Sequence, residues 1–165
     1  ASRLNAENND RNISMTENAT VERQFNIQRI YTKDISFESP NAPQVFLGEW
    51  KPELNVNLQS QINDLGNDNM EVVLTVSVEA KDGEKTSFMA EVQQAGIFMV
   101  KGFKDEEKGP LLGIGAPNAL FPYAREAISD LVTRGSFPQF VLQPVNFEAM
   151  YAQQLAQQRA EAEKH

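Results

Sequence analysis

The sequence predicts an α+β fold in which four antiparallel strands are followed by two helices packed on one face of the sheet. Three observations carry this. Apolar and polar residues alternate with period two in four stretches between Phe25 and Val100. Turn-forming residues separate these stretches, as a cluster from Asn63 to Asn69 and as the pair Asp82-Gly83. After the charged segment Lys101 to Lys108 the apolar residues recur at three- and four-residue spacing instead.

The first strand spans Phe25 to Glu38, with Phe25, Ile27, Tyr31, Ile35 and Phe37 expected on the buried face and Asn26, Gln28, Thr32, Asp34, Ser36 and Glu38 on the wet one. Prolines at 40, 43 and 52 cannot serve a central ladder, so the segment around Val45, Phe46 and Trp50 is a long connection carrying aromatics outside the sheet. Those aromatics either fold back over a core or line a groove. Leu54, Val56 and Leu58 mark a short second strand, closed by the Asn/Asp/Gly cluster. Val72, Leu74, Val76 and Val78 form a third, with Glu71, Thr75, Ser77 and Glu79 facing water. Asp82-Gly83 then reverses the chain, because glycine accepts positive φ at little cost. The returning strand, Thr86 to Val100, points Phe88, Ala90 and Val92 inward and Met89, Glu91 and Gln93 outward, with Gly96 marking a bulge or bend.

Leu120, Ala124, Ala127, Ile128 and Leu131 define one helix, with Asn118 as its cap, Pro122 in its first turn and Gly135 at its end. Asn146 caps a second helix whose stripe is Phe147, Met150, Tyr151 and Leu155. That stripe is either core packing or the wall of a groove. The polar remainder, residues 158–165, is expected to fray. Residues 1–23 hold too few apolar groups to offset the entropy of ordering and are expected to form a disordered arm, within which Met15 is a candidate natural start. One domain, residues 24–157, follows from these bounds.

Composition narrows the function classes. A formal charge of -8 and a pI near 4.7 oppose binding to nucleic-acid phosphates or to an anionic membrane surface and favour basic protein partners. The absence of cysteine removes disulfides, thiolate metal sites and thiol nucleophiles, and is compatible with a reducing compartment. Apolar runs fall far short of the roughly 18 residues needed to cross a bilayer, which predicts a soluble chain with no direct membrane insertion. The single histidine is His165, the last residue, so a catalytic triad, a histidine base and a histidine metal site all lack their central part. Gly113-Ile114-Gly115 lacks the third glycine of a dinucleotide fingerprint and reads as a loop, and Asp105-Glu106-Glu107 reads as a solvated face. No catalytic residue, cofactor or metal is expected. Asp34 and Glu38 lie on one side of their strand and Glu91 faces outward nearby, making an acidic patch. An open sheet face offers nothing to raise one carboxyl above another, so paired-acid hydrolysis is a poor reading, and surface solvation or docking of a basic partner remains.

Several longer motifs resemble a known family: Ile27-Gln28-Arg29-Ile30-Tyr31-Thr32-Lys33-Asp34-Ile35-Ser36-Phe37-Glu38, Pro40-Asn41-Ala42-Pro43, Glu91-Val92-Gln93-Gln94-Ala95-Gly96-Ile97-Phe98, Leu120-Phe121-Pro122-Tyr123-Ala124-Arg125-Glu126, Arg134-Gly135-Ser136-Phe137-Pro138 and Pro144-Val145-Asn146-Phe147. In order and spacing they resemble the SecB protein-export chaperones over about residues 25 to 155. The chain departs from many relatives in having no cysteine at position 90 or before Leu120, and it matches poorly from Lys101 to Gly115.

The resemblance implies a cytoplasmic, ATP-independent chaperone with a crossover connection after the first strand. It also implies a homotetramer built as a dimer of dimers. Unfolded preproteins would lie in apolar grooves at Phe46, Trp50, Leu54, Val56, Leu58, Tyr151 and Leu155. The C-terminal zinc-binding segment of the SecA ATPase would dock at Asp34, Glu38, Met89 and Glu91. Subunit contacts would fall at Ala90, Val92 and Gln94 and on the first helix at Ala124, Ile128 and Leu131. Two rivals stand beside this reading: a SecB-like chaperone dedicated to an antitoxin, and a small-ligand-binding or hydrolytic domain with the connection as a lid.

Overall fold

The computed structural model describes residues 22–165. The expected arm therefore lies, up to residue 21 and including Met15, outside the described residues. Four antiparallel strands, β1 (Gln24–Glu38), β2 (Glu53–Gly66), β3 (Asn69–Asp82) and β4 (Lys85–Lys101), form one sheet in the order β1-β4-β3-β2. Between β1 and β2 the chain passes from one edge of the sheet to the other. A short helical turn at Gln44–Leu47 interrupts this passage.

The two hairpin turns form where turn residues stand. Asn67 and Asp68 both adopt positive φ, 53° and 63°, between paired Gly66 and Asn69. Gly83 does the same at 64° between Asp82 and Lys85. Strand β2 is longer than its apolar residues suggest, since Asn63 belongs to the ladder opposite Glu71 rather than to the turn.

Strand β1 departs from simple alternation. Its pairing with β4 slips once between Ile27 and Arg29 and again between Thr32 and Asp34. Directly opposed residues share a face, so Phe25, Ile30 and Phe37 point with Val100, Gly96 and Ala90 into the core. Tyr31 is turned to the opposite, open face, contrary to its expected place beside Phe25. The two bulges cancel beyond Lys33, and the expectation for Phe37 holds. Gly96 itself carries no bulge. A Cβ there would meet Leu120 Cδ2 at 3.1 Å and the Arg29 carbonyl oxygen at 3.0 Å, so its glycine serves close approach of helix to sheet.

The helical part begins earlier than Asn118. Helix α1 (Asp105–Pro110) passes through a wide turn at Leu111–Gly115 into α2 (Ala116–Arg134), and α3 (Phe147–Glu163) follows. The Lys104 N–H donates to the Glu107 carboxylate at 3.1 Å, satisfying one free donor at the start. In the wide turn the Ala116 N–H reaches back to the Leu111 carbonyl, one residue further than in an α-helix. Asn118 and Pro122 consequently sit inside a helix. Burial overrides local propensity here: Leu112, Ala116, Pro117, Leu120, Phe121, Ala124, Ile128 and Val132 all leave solvent. They pack on Val72, Leu74, Val76, Val78, Phe88, Ala90 and Val92 to make the core. Helix α2 ends at Gly135, where φ is negative; a side chain there would collide with the Phe37 ring, and Ser136 takes the positive φ of 64°. Asn146 Oδ1 accepts from the Ala149 N–H at 3.0 Å, the expected cap of α3. That helix continues to Glu163, past residue 157 where the sequence places the end of the domain.

Candidate functional site

The helix-bearing face of the sheet is covered in its middle and left open along β2. Helix α2 lies mainly on β4 and then on β3. The groove-facing residues of β2 are therefore wet: Leu54 is 41 % exposed, Val56 42 % and Ile62 42 %, with Leu58 half-buried. Opposite the stretch from Leu58 to Ile62 stands α3. Between the two run a cavity of about 600 Å³, lined by Leu58, Ser60, Gly113, Met150 and Gln154 among others, and a neighbouring one of about 270 Å³ at Ser60, Ile62, Tyr151 and Leu155. Tyr151 lies against Gly109 and Gly113, where an added Cβ would come within 2.5 Å of its hydroxyl and its ring respectively. Gly109 of α1 and Gly113 of the wide turn thus make room for an aromatic ring, a role their spacing in sequence does not disclose.

Phe46 and Trp50 belong to an aromatic cluster on the same face. Trp50 stands 5.1 Å and Phe46 5.3 Å from the Phe137 ring, which is itself 4.9 Å from Phe88. Phe88 and Phe137 are buried, whereas Phe46 is 46 % and Trp50 37 % exposed. The connection carrying them is pinned where Ser39 Oγ donates to the Ser87 carbonyl at 3.0 Å and Asn41 Nδ2 to the Thr86 carbonyl at 2.8 Å. The seven expected groove residues therefore form two groups: Phe46 and Trp50 at the aromatic cluster, and Leu58, Tyr151 and Leu155 at the β2–α3 cleft, with Leu54 and Val56 on the open stripe of β2. Phe137 and Met150 join them. Phe137 was hidden in sequence by its position in a proline-punctuated connector.

The opposite face carries a depression of about 350 Å³. Two rows of opposed residues cross all four strands there, Ser36-Glu91-Ser77-Asn57 and Glu38-Met89-Glu79-Asn55. Met89 is exposed, with carboxylates on either side of it in its row. Glu91 accepts from Ser77 Oγ at 2.9 Å and Glu79 from Thr86 Oγ1 at 3.2 Å. Asp34 opposes Gln93 in the next row, outside the depression's lining. The sequence places Glu79 on the wet face but not at the site, because its position directly opposite Met89 depends on a slip of register between Ala80 and Lys81.

Further along the same face, Glu71 is buried, against the expectation that it faces water. It accepts hydrogen bonds from Tyr31 Oη, from Asn63 Nδ2 at 2.9 Å and from Lys33 Nζ at 3.0 Å. Tyr31, opposite Ala95, reaches it across β4. The hydrogen bonds from Tyr31 and then Asn63 hold the Glu71 carboxyl down at about 2, while burial first and the Glu71 bond second push the Tyr31 phenol up to about 12.

The residues expected at subunit contacts lie mostly inside the subunit. Ala90, Val92 and Gln94 on β4 and Ala124 and Ile128 on α2 face one another inside the subunit and are buried there. Gln94 spends its Nε2 on the Tyr31 carbonyl at 3.1 Å. Leu131 is half-buried against the core and keeps some surface.

Among the described residues no group of three His, Cys, Asp or Glu could hold a metal ion, and no helix is long and apolar enough to cross a membrane. Residues 18–158 match the family described as SecB, preprotein translocase subunit SecB. A protein-export protein SecB from Alcanivorax borkumensis is 57 % identical over 141 residues, covering 84 % of this chain and 90 % of the relative. Those of Alkalilimnicola ehrlichii and Methylococcus capsulatus are 53 % and 52 % identical over 86 % and 88 % of this chain and 77 % and 95 % of the relatives. Among solved structures, a Mycobacterium tuberculosis SecB-like chaperone in complex with a ChAD peptide from the HigA1 antitoxin shares the fold, with a TM-score of 0.59 at 17 % identity over 74 % of this chain and 91 % of that one. With residues 18–158 matching the family and more than half of the aligned residues identical to each of these relatives, the chain belongs to the SecB family.

Proposed function

We propose that the chain is an ATP-independent export chaperone that works by binding alone, holding unfolded preproteins in the cytoplasm and handing them to the SecA ATPase. The observation that carries this reading is the uncovered apolar strip along β2, which faces α3 and continues toward the aromatic cluster at Phe46 and Trp50. Apolar contact is non-directional, so such a strip is indifferent to client sequence. The client groove is assigned to Phe46, Trp50, Leu54, Val56, Leu58, Tyr151 and Leu155.

The depression on the other face is assigned to SecA docking through Asp34, Glu38, Met89 and Glu91, extended by Glu79. Carboxylates around one exposed thioether attract a basic segment and then offer it a dry contact. Client and SecA sites on opposite faces let both partners bind together. The working particle is assigned as a dimer of dimers, in which one unfolded chain gains affinity by wrapping several grooves. Its subunit contacts are assigned to the layer of β4 and α2 that carries Ala90, Val92, Gln94, Ala124, Ile128 and Leu131, of which Leu131 keeps some surface in the single subunit.

Light scattering of an unfolded client diluted with increasing chaperone tests the first assignment: aggregation stops near stoichiometric amounts, and no suppression at several-fold excess refutes it. Reversing the charges of Glu38, Glu79 and Glu91 together weakens SecA capture and spares client holding. Unchanged SecA capture in that variant removes the docking site, and failure of the natural chain to bind SecA favours a dedicated chaperone of the antitoxin type.

A further inference from the structure

The groove-facing residues of β2 run Leu54, Val56, Leu58, Ser60, Ile62, an apolar series broken once. The break has a physical oddity. Ser60 Oγ is shielded from solvent yet has no hydrogen-bond partner, the one buried side-chain polar atom of the described residues in that state. A shielded, unpartnered hydroxyl destabilises the protein that carries it. It also occupies a particular place: Ser60, Gly113 and Gln154 line both cavities of the β2–α3 cleft, where the two meet. Around them α3 contributes Gln153, Gln157 and Gln158, and β2 contributes Asn57 and Gln59. No charged side chain lines either cavity.

Carboxamides and hydroxyls both donate and accept hydrogen bonds, the same complement that a peptide group presents. A charged lining would sort clients by sign, and a purely apolar one would leave the backbone of a bound chain desolvated and unpaired. The main chain is also the only part of an unfolded client that does not vary with its sequence.

We propose that Ser60 and Gln154 form a hydrogen-bonding strip that pairs with the main chain of an extended client segment laid between β2 and α3. The cleft then grips two features at once, apolar side chains through Leu58, Ile62, Met150 and Leu155 and peptide groups through Ser60 and Gln154. This rests on the client-holding assignment and adds the chemistry of what is held.

The test uses the full chain and a fluorescent synthetic peptide of alternating Leu and Ser, alongside the same peptide N-methylated at every second amide. N-methylation weakens binding to the natural chain about five- to tenfold, in the range of one or two hydrogen bonds. In Ser60→Ala the unmethylated peptide binds about fivefold more weakly and methylation costs less than about twofold, because the bond it would break is already gone. The melting temperature of Ser60→Ala stays level or rises, since an unpartnered hydroxyl has been removed. An equal methylation penalty in both proteins, no penalty in the natural chain, or a melting temperature lowered by several degrees overturns the proposal. Suppression of client aggregation by the natural chain, together with indifference to methylation, would overturn this inference alone. No suppression and no peptide binding would take the client-holding assignment with it.

Discussion

Helix α2 buries Ala116, Pro117, Leu120, Phe121, Ala124, Ile128 and Val132 against the sheet, whereas α3, on the same face and of similar length, buries Phe147 alone. The strands beneath differ to match. Val76 and Val92 under α2 have no accessible surface, while Leu54 and Val56 beside the α3 cleft are about two-fifths exposed. Both regions are rich in apolar residues, but only the first converts them into stability, at about 1.5 to 3 kcal/mol for each large side chain fully buried. Apolar content alone therefore does not distinguish a core from a binding surface. What distinguishes them is whether a second element of the same chain covers the residues.

The contrast can be broken most directly by truncating one side chain from each helix. Ile128→Ala leaves a cavity in a closed core and lowers stability by about 2 to 5 kcal/mol in urea unfolding. Leu155→Ala lowers it by less than about 1 kcal/mol and instead weakens suppression of client aggregation. Comparable losses of stability from the two would mean that α3 is core like α2. A smaller effect tests how α3 is seated. Gly113→Ala forces its new methyl into the Tyr151 ring and destabilises by about 1 to 3 kcal/mol. With Tyr151→Ala already in place the same change turns stabilising by about 0.5 to 1 kcal/mol, since alanine favours the helix over glycine. No reversal of sign would show that Tyr151 does not hold α3 against the wide turn.

The last effect is read against pH on the other face, where Glu71 serves as a structural control for the carboxylates assigned to docking. Its carboxyl titrates at about 2 in the fold against an ordinary 4.5, so the ionised form stabilises the folded state. That contribution is whole above about pH 4.5 and is lost as pH falls through about 2. Glu71→Gln therefore flattens the acid limb of the melting temperature between those values and leaves SecA capture unchanged. The Tyr31 phenol gives the alkaline counterpart: titrating at about 12 instead of 10, it contributes fully below pH 10 and loses the contribution as pH rises through 12. Tyr31→Phe removes that dependence.

Much of this architecture was legible in the residues because period and turn chemistry are local. The alternation of Val72 to Val78, the Asp82-Gly83 reversal, the Asn146 cap and the face of α2 all emerged from spacing alone. What stayed hidden depends on contacts distant in sequence. Gly109, Pro110, Gly113 and Gly115 read as a loop, yet burial of Leu112 and the fit of Tyr151 hold them helical. Glu71 reads as a wet-face residue because its partners, Tyr31, Lys33 and Asn63, come from two other strands. The groove and docking residues came from family motifs; periodicity alone left Trp50 and Tyr151 between core and groove.

The two slips in β1 also bear on how the molecule avoids adhering to itself. Its outer edge offers backbone donors and acceptors beside half-exposed Ile27 and Ile35, the combination from which fibrillar ladders grow. Each slip breaks the regular spacing of those groups, dividing the edge into three short regular runs, Gln24–Ile27, Arg29–Thr32 and Asp34–Glu38. A protein that keeps greasy surface open for other chains thus carries, at its own margin, breaks that shorten every run of regularly spaced backbone groups.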